Sequence, residues 1–333
     1  MRLLRPLRTP GGFAVLAVVT LALMWVIVPS GAVVRLTASG LGCPDWPTCD
    51  GGVVSATSGH AVIEYTNRIL SGFVGIAAVL TWIVARRMPG APAGVRRLAL
   101  ALALAAAAQI PLGAVTVASG LHPMVVGSHF LLSMVALALA VLLALVARDH
   151  RDGVARGWDV RRGPLAAAVA LAAVVVLVTG VVVTAAGPHS GDDDVVRRWG
   201  DLVLAAEVHV RAAFAFTALA VVLVAWVARE RSVDRLTARL FAAALPLVAL
   251  QIGLGEYQYR NGLPWQVVVL HVTTAALIWA VIVGAAWGVA RPVRAPAYGR
   301  RAATLWQGTQ RTESGSARSH PSGISPPQST QIP

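Results

Sequence analysis

Two histidines in apolar segments of the chain have the spacing of ligands that could hold one metal ion between two helices. His209 lies near the start of one apolar segment, and His271, sixty-two residues later, lies at the same place in the next segment but one. Ionisable side chains in a hydrocarbon layer are costly and persist where they face a bundle interior and find a partner. Because neutral imidazole is a common axial ligand of haem iron, the pair predicts a haem site. Each histidine alone fits a simpler interpretation, that of a polar residue at the membrane interface.

The first half of the chain repeats this spacing with one substitution. Asn67 and His129 are also sixty-two residues apart. Gln109 precedes His129 by twenty residues, just as Gln251 precedes the last histidine of the second half. A constant offset of 142 therefore superposes three features, which indicates an internal duplication.

Acidic and basic side chains accompany these positions in both halves. Glu64, Asn67 and Arg68 have the spacing of neighbours on one helix face, and Glu207 precedes Arg211 by the same four residues. One interpretation is a pair of structural ion pairs. The other is functional: an arginine binds an anionic group such as a haem propionate, while Glu64 handles a proton or positions an oxygen species.

The two cysteines of the chain, Cys43 and Cys49, lie six residues apart between the first two apolar segments. A loop on the oxidising side of a membrane favours a disulfide. That disulfide would be either a structural staple or a reducible pair that exchanges with a thiol partner. A metal site that includes His60 is the weaker alternative, because the loop has no other obvious ligands.

Composition places the chain among proteins of the bilayer. Its 333 residues are 56% hydrophobic and 13% charged, with a mean hydropathy of +0.69. A formal charge of +13 would suggest a nucleic-acid partner for a soluble protein. Here the arginines lie in short breaks between apolar segments, where they act as topology signals, so we expect no nucleic acid.

Eight apolar segments are long enough to cross a bilayer, which takes about 20 residues. They cover residues 12–34, 62–85, 98–120, 125–147, 164–186, 203–228, 240–258 and 266–290. The sequence therefore predicts an all-α polytopic membrane protein whose eight transmembrane helices form two homologous four-helix bundles. The N-terminal half covers residues 1–149, the C-terminal half covers 150–291, and 292–333 form a disordered cytoplasmic tail.

The distribution of arginine predicts the orientation. Segments assigned to the cytoplasm carry 22 of the 28 basic residues, which satisfies the positive-inside rule at every loop and leaves both termini cytoplasmic. The first apolar segment follows three arginines, as in a signal peptide. Its length and the lack of a clear cleavage site favour a retained helix. Asn67, His129, His209 and His271 then share one depth, roughly 6–10 Å below the outer surface at ~1.5 Å per residue.

Several glycines lie within the predicted helices. Small residues let membrane helices approach closely, and they could also make room for a flat macrocycle. Six are candidates: Gly31, Gly72, Gly113, Gly127, Gly180 and Gly255.

In these residues and motifs the chain resembles the haem A synthase family. The resemblance reaches residue 290 or so and is carried by the two-half organisation, the loop from Gly42 to Cys49, the helix segment from Ile63 to Leu70, and three of the histidines. It implies a membrane oxidoreductase of the bacterial cell membrane. Such an enzyme oxidises the C8 methyl group of haem O to a formyl group in successive steps, giving haem A for cytochrome oxidase.

The resemblance also implies roles for individual residues. His209 and His271 would be the axial ligands of a resident haem b in the C-terminal half. The N-terminal half would receive haem O, with Glu64 as its catalytic residue. The remaining implied site residues are His129, Asn67 and Arg68 at the substrate, Arg211 at a propionate or in an ion pair, and Cys43 and Cys49 in a disulfide. The implied partners are haem O synthase and an unidentified electron donor.

Two features depart from the family pattern. Asn67 stands where the family has a histidine, which leaves His129 as the one candidate protein ligand of the substrate iron. Val210 separates His209 from Arg211, whereas the family often has histidine directly followed by arginine.

Two other functions are compatible with the membrane class. A non-enzymatic di-haem b-type electron-transfer cytochrome predicts four symmetrical histidine ligands, and Asn67 is not one. A transporter or haem-handling chaperone predicts helices broken at mid-membrane, whereas the polar residues here cluster near one surface.

Overall fold

The computed structural model describes residues 5–43, 45–49, 58–195, 199–230 and 233–293. In these ranges the chain forms eight α-helices, so the predicted all-α class and the eight spans are confirmed. The helices are α1 (Pro10–Leu36), α2 (Gly59–Arg87), α3 (Ala93–Ala118), α4 (Pro123–Arg151), α5 (Gly163–Ala186), α6 (Leu202–Glu230), α7 (Arg235–Arg260) and α8 (Trp265–Ala290). Most of the predicted tail, residues 294–333, lies outside the described part.

Each helix is long and apolar enough to cross a membrane. The helices have 24 to 29 residues, which at ~1.5 Å per residue exceeds the ~30 Å hydrocarbon core. Large apolar side chains on their outward faces are exposed, as helices in lipid require; Ile76, Leu104 and Phe214 are examples. Local capping sets the helix starts: the Ser58 side chain accepts a hydrogen bond at the start of α2, and the Asp234 side chain does so at the start of α7.

The helices pack as two groups of four that share one compact unit. In the first group α1 and α3 each lie between α2 and α4; in the second, α5 packs on α6 and α8, and α7 packs on α8. One contact differs between the groups: α2 and α3 pack along each other, whereas α6 and α7 barely touch. The groups meet where α8 packs on α1 and α4, and the indole of Trp279 donates a 2.8 Å hydrogen bond to the Met134 carbonyl there.

Buried positions repeat between the two halves with the offset of 142. In three helix pairs the same sites are buried: Val74 and Phe216, Ala78 and Ala220, Val95 and Thr237, Ala99 and Phe241, Met134 and Ala276, Leu137 and Trp279. In α1 and α5 the buried positions match at an offset of 149 instead: Ala17 and Ala166, Thr20 and Val169, Met24 and Ala173. The difference of seven residues places the extra length of the first half in the loop between α1 and α2.

The loops α1–α2, α3–α4, α5–α6 and α7–α8 contact one another at one end of the bundle, here called the site end. The Gly40 amide donates to the Gly191 carbonyl at 2.8 Å, and the Arg35 guanidinium donates to the His189 carbonyl at 2.8 Å. The His189 ring in turn hydrogen-bonds the Leu263 carbonyl at 2.8 Å. The site ends of the two halves are therefore joined by a backbone hydrogen bond between loops and by the Arg35 side chain.

At the opposite end of the bundle, Arg156 joins three separate helix ends. Its guanidinium donates to Asp149 at 2.7 Å, to Asp234 at 3.0 Å and to the Arg291 carbonyl at 3.1 Å. The arginine side chain is only 10% exposed. It therefore links α4, the start of α7 and the end of α8.

Replacing Arg156 by alanine is expected to lower stability by about 1–3 kcal/mol, because two partly buried carboxylates lose their shared donor. The expected readout is a lower midpoint of thermal aggregation in detergent. Arg161→Ala, an exposed arginine of the same loop, serves as the control and should leave the midpoint unchanged. Equal midpoints for the two variants would show that the Arg156 contacts do not stabilise the bundle.

The same cluster predicts a pH dependence. Burial raises the pKa of Asp234, but the backbone N–H of Thr237 and the Arg156 guanidinium both donate to the carboxylate, and the net result is a pKa below the ordinary value. A carboxylate with a lowered folded-state pKa stabilises above its unfolded pKa of about 3.9 and loses that contribution as pH falls through the folded value. The stabilisation is therefore expected to be complete at neutral pH and to disappear below about pH 4.

Candidate haem-binding site

His209 of α6 lies beside the Thr179 hydroxyl of α5, with Nδ1 3.0 Å from the hydroxyl oxygen. That hydroxyl also lies 2.9 Å from the Val175 carbonyl and 3.0 Å from the Val176 carbonyl. When Thr179 donates to one of these carbonyls, it accepts from Nδ1–H, and this tautomer leaves the Nε2 lone pair for a metal.

His271 of α8 differs from His209 in its hydrogen bonds. The Gln251 amide donates a 3.0 Å hydrogen bond to the His271 carbonyl and so fixes α7 against α8. Within the described chain the His271 Nδ1 atom is buried and forms no hydrogen bond.

Both rings pack over glycines of neighbouring helices. A Cβ atom built on Gly180 of α5 would lie 3.2 Å from Cε1 of His209, and one built on Gly255 of α7 would lie 3.2 Å from Cε1 of His271. A larger residue at either glycine would push the ring away. Two imidazoles on non-adjacent helices, each beside a glycine, are a donor set that fits an axially ligated haem.

Gly255→Val is expected to displace the His271 ring and to reduce bound haem by about tenfold or more, as loss of a supporting contact at a metal ligand does. Gly253→Val is the matched control. It lies on the same helix two residues away, and no described atom lies within 4 Å of its Cβ position. The ratio of haem absorbance to protein in purified samples measures the effect, and equal ratios in the two variants would contradict it.

In the N-terminal half, His129 of α4 has the same surroundings as His271. The Gln109 amide donates to the His129 carbonyl at 3.2 Å and to the Ser133 hydroxyl at 2.6 Å. A Cβ atom on Gly113 would lie 3.6 Å from Cε1 of His129, and the His129 Nδ1 atom is buried without a partner in the described chain. His129 and His271 therefore share three features: a glutamine on the backbone carbonyl, a glycine beside the ring and a buried Nδ1 without a partner in the described residues.

Asn67 lies on α2 at the position that His209 occupies on α6, as the matched burial of the two helices shows. Its Oδ1 atom is buried, and in the described residues it has no hydrogen-bond partner. The asparagine that stands in place of a histidine therefore directs its side-chain oxygen into the bundle, as the repeat predicts.

Glu64 and Arg68 form the predicted ion pair, at 2.5 Å, and both also hold the loop of the cysteines. One Glu64 oxygen accepts a 2.8 Å hydrogen bond from the Cys43 backbone amide. The Arg68 guanidinium donates to the carbonyls of Asp45 at 2.7 Å and Thr48 at 2.6 Å. Glu64 is only 4% exposed. These contacts direct both side chains toward the loop.

The disulfide between Cys43 and Cys49 is present, as predicted. Both cysteines are buried and pack against Ala61 and Tyr65 of α2. His60, the residue considered as a further metal ligand, is instead hydrogen-bonded through Nδ1 to the Ser39 hydroxyl at 3.0 Å. Because the sulfur atoms are bonded to each other, the loop is a disulfide-closed segment fixed on the site end of α2.

The corresponding ion pair of the second half lies on the surface. Arg211 donates to Glu207 at 3.0 Å, with 75% and 53% of the two side chains exposed. Glu64 precedes Asn67 by three residues, whereas Glu207 precedes His209 by two. One residue rotates a helical position by about 100°, so the second pair points away from the interior.

Comparison with known proteins identifies the family. The model of the cytochrome oxidase assembly protein family, COX15-CtaA, matches residues 14–188, which is more than half of the chain. The chain belongs to this family. The matched region contains the cysteine loop, Glu64, Asn67 and His129, but it ends before His209 and His271. The assignment of those two histidines therefore depends on the internal repeat and on their geometry.

Individual relatives carry the name Heme A synthase. The one from Shewanella oneidensis is 32% identical over 151 residues, which is 40% of this chain and 45% of the relative. Those from Bacillus licheniformis and Bacillus mycoides are 30% and 35% identical over 130 residues, or 39% and 38% of this chain and 43% and 42% of the relatives. The chain thus matches less than half the length of these relatives.

Several residues that contact the site histidines of this COX15-CtaA family member were not predicted from the sequence. Thr179 received no role there, although Ser30-Gly31 and Thr179-Gly180 correspond at the offset of 149. Gln109 and Gln251 marked the repeat without a function. The offset of 149 relates Ser30 to Thr179 and is the sequence signal for Thr179. The role of the glutamines, which donate to the histidine carbonyls, is visible only in the contacts.

Proposed function

We propose that this chain is a haem A synthase, which oxidises the C8 methyl group of haem O to a formyl group in successive steps. Membership of the family and the relatives' printed name support this activity. The observation that carries the proposal is the inequality of the two halves. One half has two imidazoles that each lie beside a glycine, and the other has one such imidazole together with a buried carboxylate that accepts from the disulfide loop.

In this proposal the C-terminal half holds a resident haem b between His209 and His271. A bound haem b supplies one-electron transfer. The protein keeps the ligands in place: the Thr179 hydroxyl lies 3.0 Å from Nδ1 of His209, and Gln251 donates to the backbone carbonyl of His271. The donor set and the glycines beside it fit this group.

The N-terminal half receives the substrate haem O, with His129 as its protein ligand. Glu64 is the residue that handles a proton near the methyl group, and Arg68 holds its charged carboxylate in place. The disulfide loop covers this end of the half and excludes water from Glu64, which is nearly fully buried. Arg211 forms a surface ion pair and remains the candidate for a propionate in the second half.

The proposed location is the bacterial cell membrane, with both termini in the cytoplasm and the site end facing outward. The concentration of arginine in the loops at the opposite end supports this orientation. Haem O synthase is the proposed source of the substrate, and a separate electron donor completes the reaction.

The test is expression in a bacterium that makes haem O but has no haem A synthase of its own. Haems extracted from the purified protein and from the membranes are identified by chromatography and mass. Haem A and a hydroxylated intermediate are the expected products. Haem b alone, without conversion of haem O under reducing and aerobic conditions, would overturn the proposal in favour of the electron-transfer cytochrome.

A further inference from the structure

The four equivalent positions around the two sites are not filled alike. Three histidines each lie over a glycine of a neighbouring helix, with Cε1 3.2–3.6 Å from the Cβ position. The fourth combination is Asn67 with Gly31, the partner given by the offsets of 142 and 149. No described atom lies within 4 Å of the Cβ position of Gly31.

Gly31 lies on the inward-facing side of α1. It follows Val28 by three residues and Met24 by seven, which places it on the same face of α1 as those two buried side chains. Helix α1 packs along α2, and the Oδ1 atom of Asn67 on α2 is buried. The repeat pairs these two positions as it pairs Gly180 with His209.

The chemistry of an amide differs from that of imidazole at the atom that matters. The terminal atoms of asparagine reach about as far from the backbone as Nδ1 of a histidine, and no atom of asparagine corresponds to Nε2. An amide is a hydrogen-bond donor and acceptor, and its nitrogen lone pair is delocalised, so it is a poor ligand for haem iron. Asn67 can instead donate a hydrogen bond to a small group that lies beside it.

We propose that the N-terminal half binds haem O through one protein ligand, His129, and that the opposite axial position, next to Gly31 and Asn67, takes a small neutral ligand of the diatomic class. This inference rests on the proposed function for the presence of haem O. It adds that the two halves differ in coordination: the substrate iron is open to an exogenous ligand, whereas the resident iron is closed by two histidines.

Carbon monoxide is the probe. The haem O-loaded protein is purified anaerobically, reduced with dithionite and titrated with carbon monoxide while its absorption spectrum is recorded. The expected result is a carbon monoxide complex of haem O and no change in the spectrum of haem b, which serves as the internal control. A low-spin six-coordinate haem O in the parent protein that takes up no carbon monoxide would overturn the inference.

Two variants sharpen the test. Asn67→His should convert haem O to a low-spin six-coordinate form and abolish its carbon monoxide binding. Asn67→Leu, which cannot ligate iron, should retain carbon monoxide binding. Retention of haem b shows that each variant is folded. If Asn67→His fails to fold, carbon monoxide binding by the parent and by Asn67→Leu still tests the inference.

The two proposals can fail separately. Haem A is measured in the same preparations after exposure to air. Carbon monoxide binding without any haem A would reject the synthase and keep the open position, whereas haem A formation by a protein whose haem O is six-coordinate would reject the open position alone.

Discussion

Replacing Glu64 by glutamine is expected to lower haem A formation at least ~100-fold while the resident haem stays bound, since acid–base groups contribute about 10²–10⁴ to rate. The two Glu64 oxygens accept from different donors, one from the Cys43 amide and the other from Arg68. Glutamine has one acceptor oxygen and one donor group, so one of these donors must lose its partner. The measurement is the ratio of haem A to haem O in membranes.

Arg68→Gln separates the two contributions of Glu64. It keeps the carboxylate but removes the contacts to the Asp45 and Thr48 carbonyls. We expect about a tenfold loss of haem A formation, as for loss of a charged hydrogen bond, together with faster reduction of the cysteines in a maleimide-labelling time course. A loss as large as that of Glu64→Gln would assign Glu64 to positioning the loop and not to proton transfer.

Replacing His271 by alanine is expected to remove the resident haem. Loss of a residue that hydrogen-bonds a metal ligand already costs about 10–100-fold in metal affinity, so loss of the ligand itself should cost at least ~100-fold. His209→Ala should have the same effect, because the proposal assigns the two imidazoles as the two ligands of one haem. Haem b per protein, measured from the pyridine haemochrome after purification, provides the readout.

His129→Ala is the matched control for this prediction. Its surroundings resemble those of His271, with a glutamine on its carbonyl and a glycine against its ring. It should retain haem b and lose haem O. If His129→Ala lost haem b as well, the division of the two haems between the two halves would be wrong.

The sequence predicted the features that depend on period and spacing. Eight apolar segments became eight helices, and the offset of 142 became a repeat of buried positions such as Val74 and Phe216. The disulfide and the two ion pairs also formed. These features are predictable because helix geometry alone relates residues three, four or seven apart.

Contacts across irregular segments could not be predicted in the same way. Arg68 binds carbonyls about twenty residues away in a loop without any period, so no spacing rule indicates that its guanidinium is already engaged. The hydroxyl of Thr179 likewise reaches His209 from a different helix. Such contacts depend on how helices are placed beside one another, which the pattern of one helix does not contain.

The surface position of the Glu207–Arg211 pair bears on how the ancestral duplication should be read. Matching residue to residue would align Glu207 with Glu64 and would place His209 opposite Thr66, which is exposed on α2. Matching burial instead places His209 opposite Asn67. The two copies thus share the inward face of the helix. In the second copy the carboxylate is one residue nearer the inward-facing position, and it therefore lies on the surface. Alignments of distant homologues that are scored by residue identity will therefore pair the wrong residues in this helix.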